Sequence, residues 1–252
     1  METLTFTRKE MSRLLSTLGQ DSKISPLSVI QEIWRSRHLQ DMAQGNSMSA
    51  FISTSLPPVI EKMIKSQTAP AFSLHEIVAL GAQIEYTQFS VTSVQNWVKR
   101  DFKSFIGPPE AGKKYSLQQV SLFFIIEDLR STLHYDEIRK LFQFLFQPMS
   151  EQEKTCVSPL NFYNAYADLF EKLDDRYRNY KGSQTDLVYK WDRMLSELAE
   201  EYVASLPERD VNSNEILQNA LHVALISVHT SCFQVLSRRY VNGMMFLHNL
   251  DK

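Results

Sequence analysis

Apolar residues recur every three or four positions along the first quarter of the chain, which predicts a series of short helices. Thr7 and Glu10 fit a capping box at the start of the first helix. A second helix is predicted over residues 25–45, because a serine and a proline begin it and a glycine ends it. Serine, glycine, asparagine and threonine then predict a loop over residues 45–58, followed by a short helix over residues 59–66.

The C-terminal part of the chain contains three stronger helical patterns. The first begins with Ser158 as N-cap and Pro159 at the first helical position, the second covers residues 185–206 and the third residues 213–240. At 1.5 Å per residue the third helix would span about 40 Å, a length that crosses a helical bundle or pairs with a second subunit. Aromatic side chains leave two interpretations open, core packing with a dimer face or a pocket for a small effector: Phe162, Tyr163, Tyr166, Phe170, Tyr177 and Tyr180.

Residues 72–146 have a different character. A short helix is predicted from Ser73, and after a break around residues 86–88 a second helix runs from Phe89 to Arg100. This is the outline of a helix-turn-helix, in which the second helix enters the major groove of DNA. Its apolar side chains are predicted to face inward: Phe89, Val94, Trp97 and Val98. Its outward side chains either form an ordinary solvated face or contact bases and phosphates: Thr92, Ser93, Gln95, Asn96, Lys99 and Arg100.

The segment that follows this helix contains two prolines and two glycines, so it is not predicted to be helical. Lys113 and Lys114 lie at its predicted tip, where a hairpin-like wing would place them against phosphates. Tyr115 adjoins them and is included among the predicted DNA contacts. The alternative is that the two lysines are ordinary loop charges. Ser116 and Gln119 then fit a capping box for the next helix.

The overall charge of the chain does not indicate a nucleic-acid partner. The formal net charge is -2 and the isoelectric point about 6.3, with 43% apolar and 22% charged residues, as in an average globular protein. The segment from Trp97 to Tyr115, however, contains five basic and two acidic residues, so its local net charge is +3. The charge pattern therefore predicts a local basic patch on an otherwise acidic chain.

Other kinds of function have little support in the sequence. So few cysteines favour a reducing cytoplasm, and the charged N-terminus and short apolar runs favour a soluble protein that does not enter a membrane. His222, His229 and Cys232 share one helical face, but without a second ligand pair they are predicted to be buried polar residues and not a metal site. The sequence contains no phosphate-binding loop, nucleophile elbow or zinc motif, so we expect neither an enzyme nor a cofactor.

The order of the motifs resembles that of MerR-type bacterial DNA-binding regulators. Ser90 to Trp97 looks like the recognition helix of that family, with Ser93-Val94 and Trp97 at its Thr-Leu and aromatic positions. The run from Gly112 to Ser116 is similar to the family's wing signature, and Leu133 to Leu141 resembles the helix that follows. The resemblance covers about a third of the chain and implies DNA binding by two-fold dimers.

A closer resemblance is to an uncharacterised bacterial family of MerR-like proteins. The shared features are Trp97-Val98-Lys99, the Pro108-Pro109 pair and the Lys-Lys-Tyr-Ser run at residues 113–116. Gln95 and Asn96 depart from the MerR pattern of an arginine followed by an aromatic pair, so one expected phosphate contact is missing. Neither flank carries the cysteine cluster of metal-sensing members, so the resemblance does not imply which signal is sensed.

These observations predict a mostly α protein in which a MerR-like winged helix-turn-helix is flanked by helical segments. The predicted parts are an N-terminal helical segment (1–68), the DNA-binding domain (69–148) and a C-terminal helical dimerisation or effector domain (149–252). We expect a cytoplasmic bacterial transcription regulator that binds double-stranded DNA as a homodimer, and leave a small-molecule effector in the C-terminal helices open.

Two rival hypotheses remain at this point. One is a protein-interaction adaptor that keeps the winged-helix fold without binding DNA, which the near-neutral net charge and Gln95 favour. The other is a helical ligand-binding protein with a vestigial winged helix. Affinity for duplex DNA, and its dependence on salt, separates the first hypothesis from both rivals.

Overall fold

A computed structural model of the chain describes residues 2–19, 22–66, 70–147, 155–179, 186–207 and 209–250. Helices dominate these residues, which confirms the prediction of a mostly α protein. Within the described ranges, two short strands, β1 (Glu2–Thr3) and β2 (Thr54–Ser55), pair in parallel. The helices are α1 (Arg8–Ser16), α2 (Pro26–Arg37), α3 (Leu39–Ala43), α4 (Ser47–Ser53), α5 (Pro58–Lys65), α6 (Leu74–Gly81), α7 (Val91–Asn96), a π-helical turn (Trp97–Asp101), α8 (Lys103–Ile106), α9 (Leu117–Leu129), α10 (Tyr135–Phe146), α11 (Pro159–Asn179), α12 (Leu187–Ala204) and α13 (Val211–Leu250).

The contacts divide the chain into two compact units. The first unit comprises Met1–Glu85 and Phe89–Phe123, and the second comprises Tyr86–Gln88 and Phe124–Lys252. The predicted domain boundaries near residues 68 and 148 both fall in stretches outside the described residues. The three-part division therefore stays a prediction, and the two units are described separately below.

The first unit is built around apolar side chains from α1, α5, α6, the π-helical turn and the start of α9. The capping box predicted at the start of α1 is present, because the Glu10 amide donates to Thr7 Oγ1 at 3.2 Å and Glu10 Oε2 accepts from the Thr7 amide at 2.8 Å. The largest fully buried side chains of this unit are Phe6, Met11, Leu14, Phe72, Trp97, Phe102 and Phe123. Burial of this many large apolar side chains is the main stabilising contribution to the unit.

Two predictions for the N-terminal part are wrong in detail. The helix predicted over residues 25–45 is broken at His38, which separates α2 from α3. The loop predicted over residues 45–58 contains α4. Trp34 makes the tertiary contact here, because its Nε1 donates to Thr54 Oγ1 at 3.1 Å, while its ring stacks locally on His38 with centroids 4.5 Å apart. The bond to Thr54 brings the chain back against α2.

The second unit is a helical bundle in which α11, α12 and α13 pack against one another and α10 packs against α13. Aromatic rings fill much of its interior, since Phe124, Phe142, Phe162, Tyr163 and Tyr166 are all fully buried. Of the other aromatic residues predicted to pack here, Phe170 is half-buried, Tyr177 is exposed and Tyr180 lies outside the described residues. One buried polar contact crosses this core, where the Tyr166 hydroxyl donates to Asp128 Oδ2 at 2.8 Å. A paired polar group in an apolar core avoids the cost of an unsatisfied carboxylate.

Helix α13 is longer than the sequence predicts, since it extends from Val211 to Leu250 in place of residues 213–240. Its 40 residues span about 60 Å at the usual helical rise. Between Val211 and His248 it is long and apolar enough to cross a membrane by length and composition, with 39% of its most apolar window buried. Core helices of soluble proteins meet the same criteria.

Candidate nucleic-acid interface

Helix α6 is the first helix of the predicted helix-turn-helix, and it begins with a complete capping box. The Glu76 amide donates to Ser73 Oγ at 3.3 Å, and Glu76 Oε2 accepts from the Ser73 amide at 2.7 Å. Lys62 Nζ lies 2.6 Å from Glu76 Oε1. Partial burial raises the pKa of Glu76, but the hydrogen bonds from Lys62 and Ser73 outweigh it and leave the pKa below its ordinary value. Glu76 is thus ionised at neutral pH, as a helix N-terminus favours.

The connection from α6 to α7 covers residues 82–90, which is longer than the three or four residues of a simple helix-turn-helix. Gly81 lies against the ring of Phe89 at the far end of this connection, and a Cβ on Gly81 would stand 2.3 Å from Phe89 Cδ2. The Phe89 ring in turn meets Trp97 edge-on, with centroids 6.4 Å apart. The absence of a side chain at Gly81 therefore permits the close approach that fixes the start of α7.

We expect Gly81→Ala to lower the free energy of unfolding by about 1 to 3 kcal/mol, because the added methyl group must displace Phe89 and disturb its contact with Trp97. Ser49→Ala, at an exposed position within α4 of the same unit, is the matched control. In the helix interior that control should be neutral or stabilising. Urea denaturation followed by circular dichroism measures both variants, and equal stability of the two would contradict the packing argument.

Helix α7 begins at an N-cap serine. Ser90 Oγ accepts from the Ser93 amide at 3.1 Å and lies 2.8 Å from Ser93 Oγ. The Ser93 hydroxyl is therefore engaged in the cap, although the sequence predicts it as a DNA contact. Its side chain is half-buried, like that of Gln95, whereas Thr92 and Asn96 are exposed.

A π-helical turn follows α7, and the sequence does not predict it. The Phe102 amide donates to the Trp97 carbonyl at 2.9 Å, five residues back. The extra residue keeps both Trp97 and Phe102 fully buried. It also leaves Asp101 beside Arg100, with Asp101 Oδ1 2.9 Å from Arg100 Nε. The spacing of the two aromatic residues is the only signal of this turn in the sequence, and π turns occur often at functional sites.

The structure leaves one side of residues 92–100 to solvent. Lys99 and Arg100 are exposed on the π-helical turn, as Thr92 and Asn96 are on α7. Val94 and Trp97 form the opposite, fully buried side. We call the solvent side the polar face, and its members are Thr92, Ser93, Gln95, Asn96, Lys99 and Arg100. Val94 and Trp97 face inward as predicted, and Thr92, Asn96, Lys99 and Arg100 face outward as predicted. Four residues are half-buried, namely Phe89 and Val98, which the sequence predicts inward, and Ser93 and Gln95, which it predicts outward.

The predicted wing segment contains a tight hairpin, which we call the basic hairpin (residues 111–114). Ala111 and Lys114 exchange two main-chain hydrogen bonds of 3.1 Å each. Gly112 occupies the first central position with φ +66°, where a glycine is favoured in a two-residue hairpin turn. Lys113 and Lys114 are both exposed.

Tyr115 does not belong to the exposed set. It is 6% exposed and pairs with Phe72 through main-chain hydrogen bonds of 2.8 and 2.9 Å. Its ring meets Phe123 edge-on, with centroids 5.5 Å apart. Partial burial raises the pKa of the Tyr115 hydroxyl. The predicted DNA contact of this side chain therefore needs correction, because the ring packs in the core of the first unit and anchors the base of the basic hairpin.

Gln119 is a positioning residue that the sequence identifies only as a helix cap. Its Oε1 accepts from the Ser116 amide at 3.0 Å, which completes the predicted capping box. Its Nε2 also donates to the carbonyls of Ile106 and Pro108, each at 2.7 Å. A buried side-chain amide that satisfies these groups ties α9 to the segment leading into the basic hairpin.

The described residues hold no cluster of histidine, cysteine or acidic side chains suited to a metal ion. His222 Nε2 instead lies 3.1 Å from Asp192 Oδ1. His229 packs between the rings of Trp191 and Phe170, and burial lowers its pKa. The first unit also contains an open groove of about 790 Å³ with mostly apolar walls, including Leu27, Ile30, Trp34, Met42 and Phe51.

The polar face and the basic hairpin lie in a part of the chain that is similar to proteins of unknown function. Residues 64–166 match a family described as a domain of unknown function, DUF1836. The match includes α6, the polar face, the basic hairpin, α9 and α10. The chain is also similar to the uncharacterized protein YkrK of Bacillus subtilis (strain 168), with 26% identity over 239 residues, covering 93% of this chain and 95% of the relative. No solved structure matches the chain.

Proposed function

We propose that this chain is a MerR-type transcription regulator that binds double-stranded DNA through the polar face and the basic hairpin. The observation that carries the proposal is the two-sided character of residues 92–100. Thr92, Asn96, Lys99 and Arg100 are exposed while Val94 and Trp97 are fully buried, so a rigid core presents hydrogen-bonding and basic groups to solvent. This is the arrangement that a helix in the major groove requires.

The residues of the polar face and the basic hairpin have different roles in this proposed interface. Thr92 and Asn96 contact base edges, and Ser93 and Gln95 support them from their half-buried positions. Lys99, Lys113 and Lys114 contact phosphates, as does Arg100 when the duplex competes with Asp101 for its guanidinium. Phosphate contacts fix the register of the protein, and base contacts supply specificity.

We also propose that residues 69–148 form a winged helix-turn-helix. The pair of short helices α6 and α7, the basic hairpin and the capped helix α9 occur in the order that the MerR resemblance implies. The main-chain pairing of Tyr115 with Phe72 supplies the short sheet contact expected at the base of a wing. The long connection between α6 and α7 is the feature that departs most from a simple helix-turn-helix.

The regulator is proposed to act as a homodimer in the bacterial cytoplasm. The last part of α13 supports a dimer, because large apolar side chains are exposed along it: Phe233, Leu236, Tyr240, Val241, Met244, Met245, Phe246 and Leu247. An exposed apolar surface of this size is typical of an interface. A small-molecule effector in the helices of the second unit remains part of the proposal.

We expect Tyr240→Glu with Met244→Glu to convert the dimer to a monomer of 29.2 kDa, because both side chains are 69% exposed and a charge at either would be desolvated in the interface. Asn242→Glu adds a charge to the same stretch at an exposed polar position and is the matched control. Light scattering after size-exclusion chromatography gives the mass. A monomeric native protein, or a dimer that survives the double substitution, would refute this interface.

The rival function is an adaptor that binds protein and not DNA. Two observations favour it: Asp101 lies against Arg100 in the proposed interface, and the apolar groove of the first unit is open to solvent. An adaptor would have no affinity for duplex DNA, and its helical units would bind a partner through apolar surface.

The test of the proposed function is duplex binding by fluorescence anisotropy, with the native protein and a pool of sheared genomic DNA at two salt concentrations. A DNA-binding regulator should bind at low salt and lose affinity steeply as salt rises, because bound phosphates release counterions. Failure to bind at either salt, with cell extract added as a source of effector, would overturn the proposal in favour of the adaptor.

A further inference from the structure

Three residues in the connection between α6 and α7 belong to the second unit. Tyr86, Thr87 and Gln88 group with the second unit by their contacts, whereas Glu85 before them and Phe89 after them belong to the first. Gln88 precedes Ser90, the N-cap of α7, by only two residues. Whatever holds Gln88 therefore holds the chain immediately before the polar face.

Both main-chain groups of Gln88 are bound by one ion pair near the end of α9. The Gln88 amide donates to Glu127 Oε1 at 3.0 Å, and the Gln88 carbonyl accepts from Arg130 Nη2 at 3.1 Å. The two side chains also bind each other, with Arg130 Nε 2.7 Å from Glu127 Oε2 and Nη2 2.9 Å from Oε1. Glu127 is 6% exposed, so these bonds provide the partners that a buried carboxylate needs.

Helix α13 supplies further contacts to this segment. Ser231 Oγ donates to the Tyr86 carbonyl at 3.1 Å, and Arg238 donates to the side-chain oxygen of Gln88. Gln234, between them on the helix, donates to the Ser131 carbonyl at 3.1 Å. Residues 231, 234 and 238 repeat at helical spacing, so one stripe of α13 carries all three polar contacts.

The segment is held in a conformation that its sequence does not favour. Tyr86 has φ +59°, a left-handed backbone conformation that residues other than glycine rarely adopt. Its carbonyl is bound by Ser231, and the Arg239 guanidinium lies 5.4 Å from the centre of its ring. A strained residue persists only where surrounding contacts fix it, as these contacts do.

We propose that Glu127, Arg130, Ser231 and Arg238 form a clamp, a set of positioning residues that fix residues 86–88 and through them the start of α7. The part of this inference that concerns DNA rests on the proposed function, but the clamp itself does not. None of the four residues belongs to the polar face or the basic hairpin. A signal that displaces α13, whether from an effector or from a second subunit, would act on the polar face through residues 86–88.

The first test is hydrogen exchange on the full-length protein, comparing Glu127→Ala with the native chain. Loss of the charge-assisted bond from the Gln88 amide should accelerate exchange at Gln88 by roughly 10- to 100-fold. If the clamp positions α7, exchange should also accelerate at the Ser93 amide, which is bonded to Ser90 Oγ. Glu200→Ala, which removes an exposed carboxylate from α12, is the matched control and should change neither site.

Either of two exchange results would overturn the clamp as a positioning device: unchanged protection of Gln88, or faster exchange at Gln88 with Ser93 unaffected. Should Glu127→Ala fail to fold by circular dichroism, Ser231→Ala and Arg238→Ala test the positioning of α7 through exchange at the Ser93 amide. Each removes one contact to residues 86–88 and leaves the bond from the Gln88 amide to Glu127 intact.

The second test measures duplex affinity of the same variants across a range of salt. A positioning residue should weaken binding while leaving the slope of log affinity against log salt unchanged, because no phosphate contact is lost. Native affinity in the clamp variants would overturn the proposed link to DNA binding. If the native protein does not bind duplex DNA, the proposed function fails, and the exchange data still decide whether the clamp positions α7.

Discussion

Replacing Lys99, Arg100, Lys113 and Lys114 together with alanine is expected to abolish most duplex binding. Each phosphate contact contributes about 0.9 to the slope of log affinity against log salt, so four contacts should lower the slope by about 3 to 4. At 0.1 M salt the same contacts account for roughly a thousandfold in affinity. All four side chains are exposed, so their removal should leave stability within about 0.5 kcal/mol.

The matched control for this experiment removes the same charge elsewhere. Lys23, Arg35, Lys65 and Lys140 are exposed and lie outside the proposed interface. Alanine at these four positions makes the same change in net charge and should lower the slope far less. Equal losses in the two variants would mean that net charge, and not the polar face with the basic hairpin, governs binding. Among the single variants, Arg100→Ala should have the smallest effect, because Asp101 already binds its guanidinium.

Trp97→Ala is expected to have the largest effect on stability, lowering the free energy of unfolding by about 3 to 5 kcal/mol. The Trp97 side chain is fully buried, and its ring lies between Phe89 at 6.4 Å and Phe123 at 6.5 Å between centroids. Its removal leaves a cavity directly behind the polar face. Chemical denaturation measures the loss, and the expected midpoint is far below that of the native protein.

The control for this result is the substitution of an exposed apolar residue in the same unit. Met48 is 70% exposed, so Met48→Ala should change stability by no more than about 0.5 kcal/mol. Trp97→Phe keeps an aromatic ring in the core and should fall between the two. A Trp97→Ala protein of native stability would contradict the burial of this residue, and with it the assignment of the opposite side to DNA.

Several features of the interface follow from the sequence because they depend on residues three or four positions apart. The capping boxes that begin at Thr7 and Ser116 are present as predicted. Trp97 is buried against Phe123, as its spacing predicts. Gly112 occupies a hairpin turn that favours glycine, so the two lysines beside it are exposed as predicted. Local hydrogen bonds and helical periodicity are enough to specify these features.

Other features depend on partners that the sequence order does not reveal. Tyr115 is in the core because Phe72, distant in sequence, binds its main chain and Phe123 receives its ring. The π-helical turn exists because Trp97 and Phe102 must both be buried, which a regular α-helix does not allow at that spacing. Helix α4 forms where the composition predicts a loop, and Trp34 donates to Thr54 at its C-terminal end.

The sequence by itself determined where most helices begin, which side of residues 92–100 is apolar and where the exposed basic residues lie. Only the tertiary structure decided that residues 86–88 belong with α9 and α13, and that Glu127 and Arg130 bind Gln88 from about 40 residues away. The physical reason is the range of the interactions. Caps and turns are satisfied within a few residues, whereas a buried ion pair and a left-handed tyrosine are stable only when distant segments complete their hydrogen bonds.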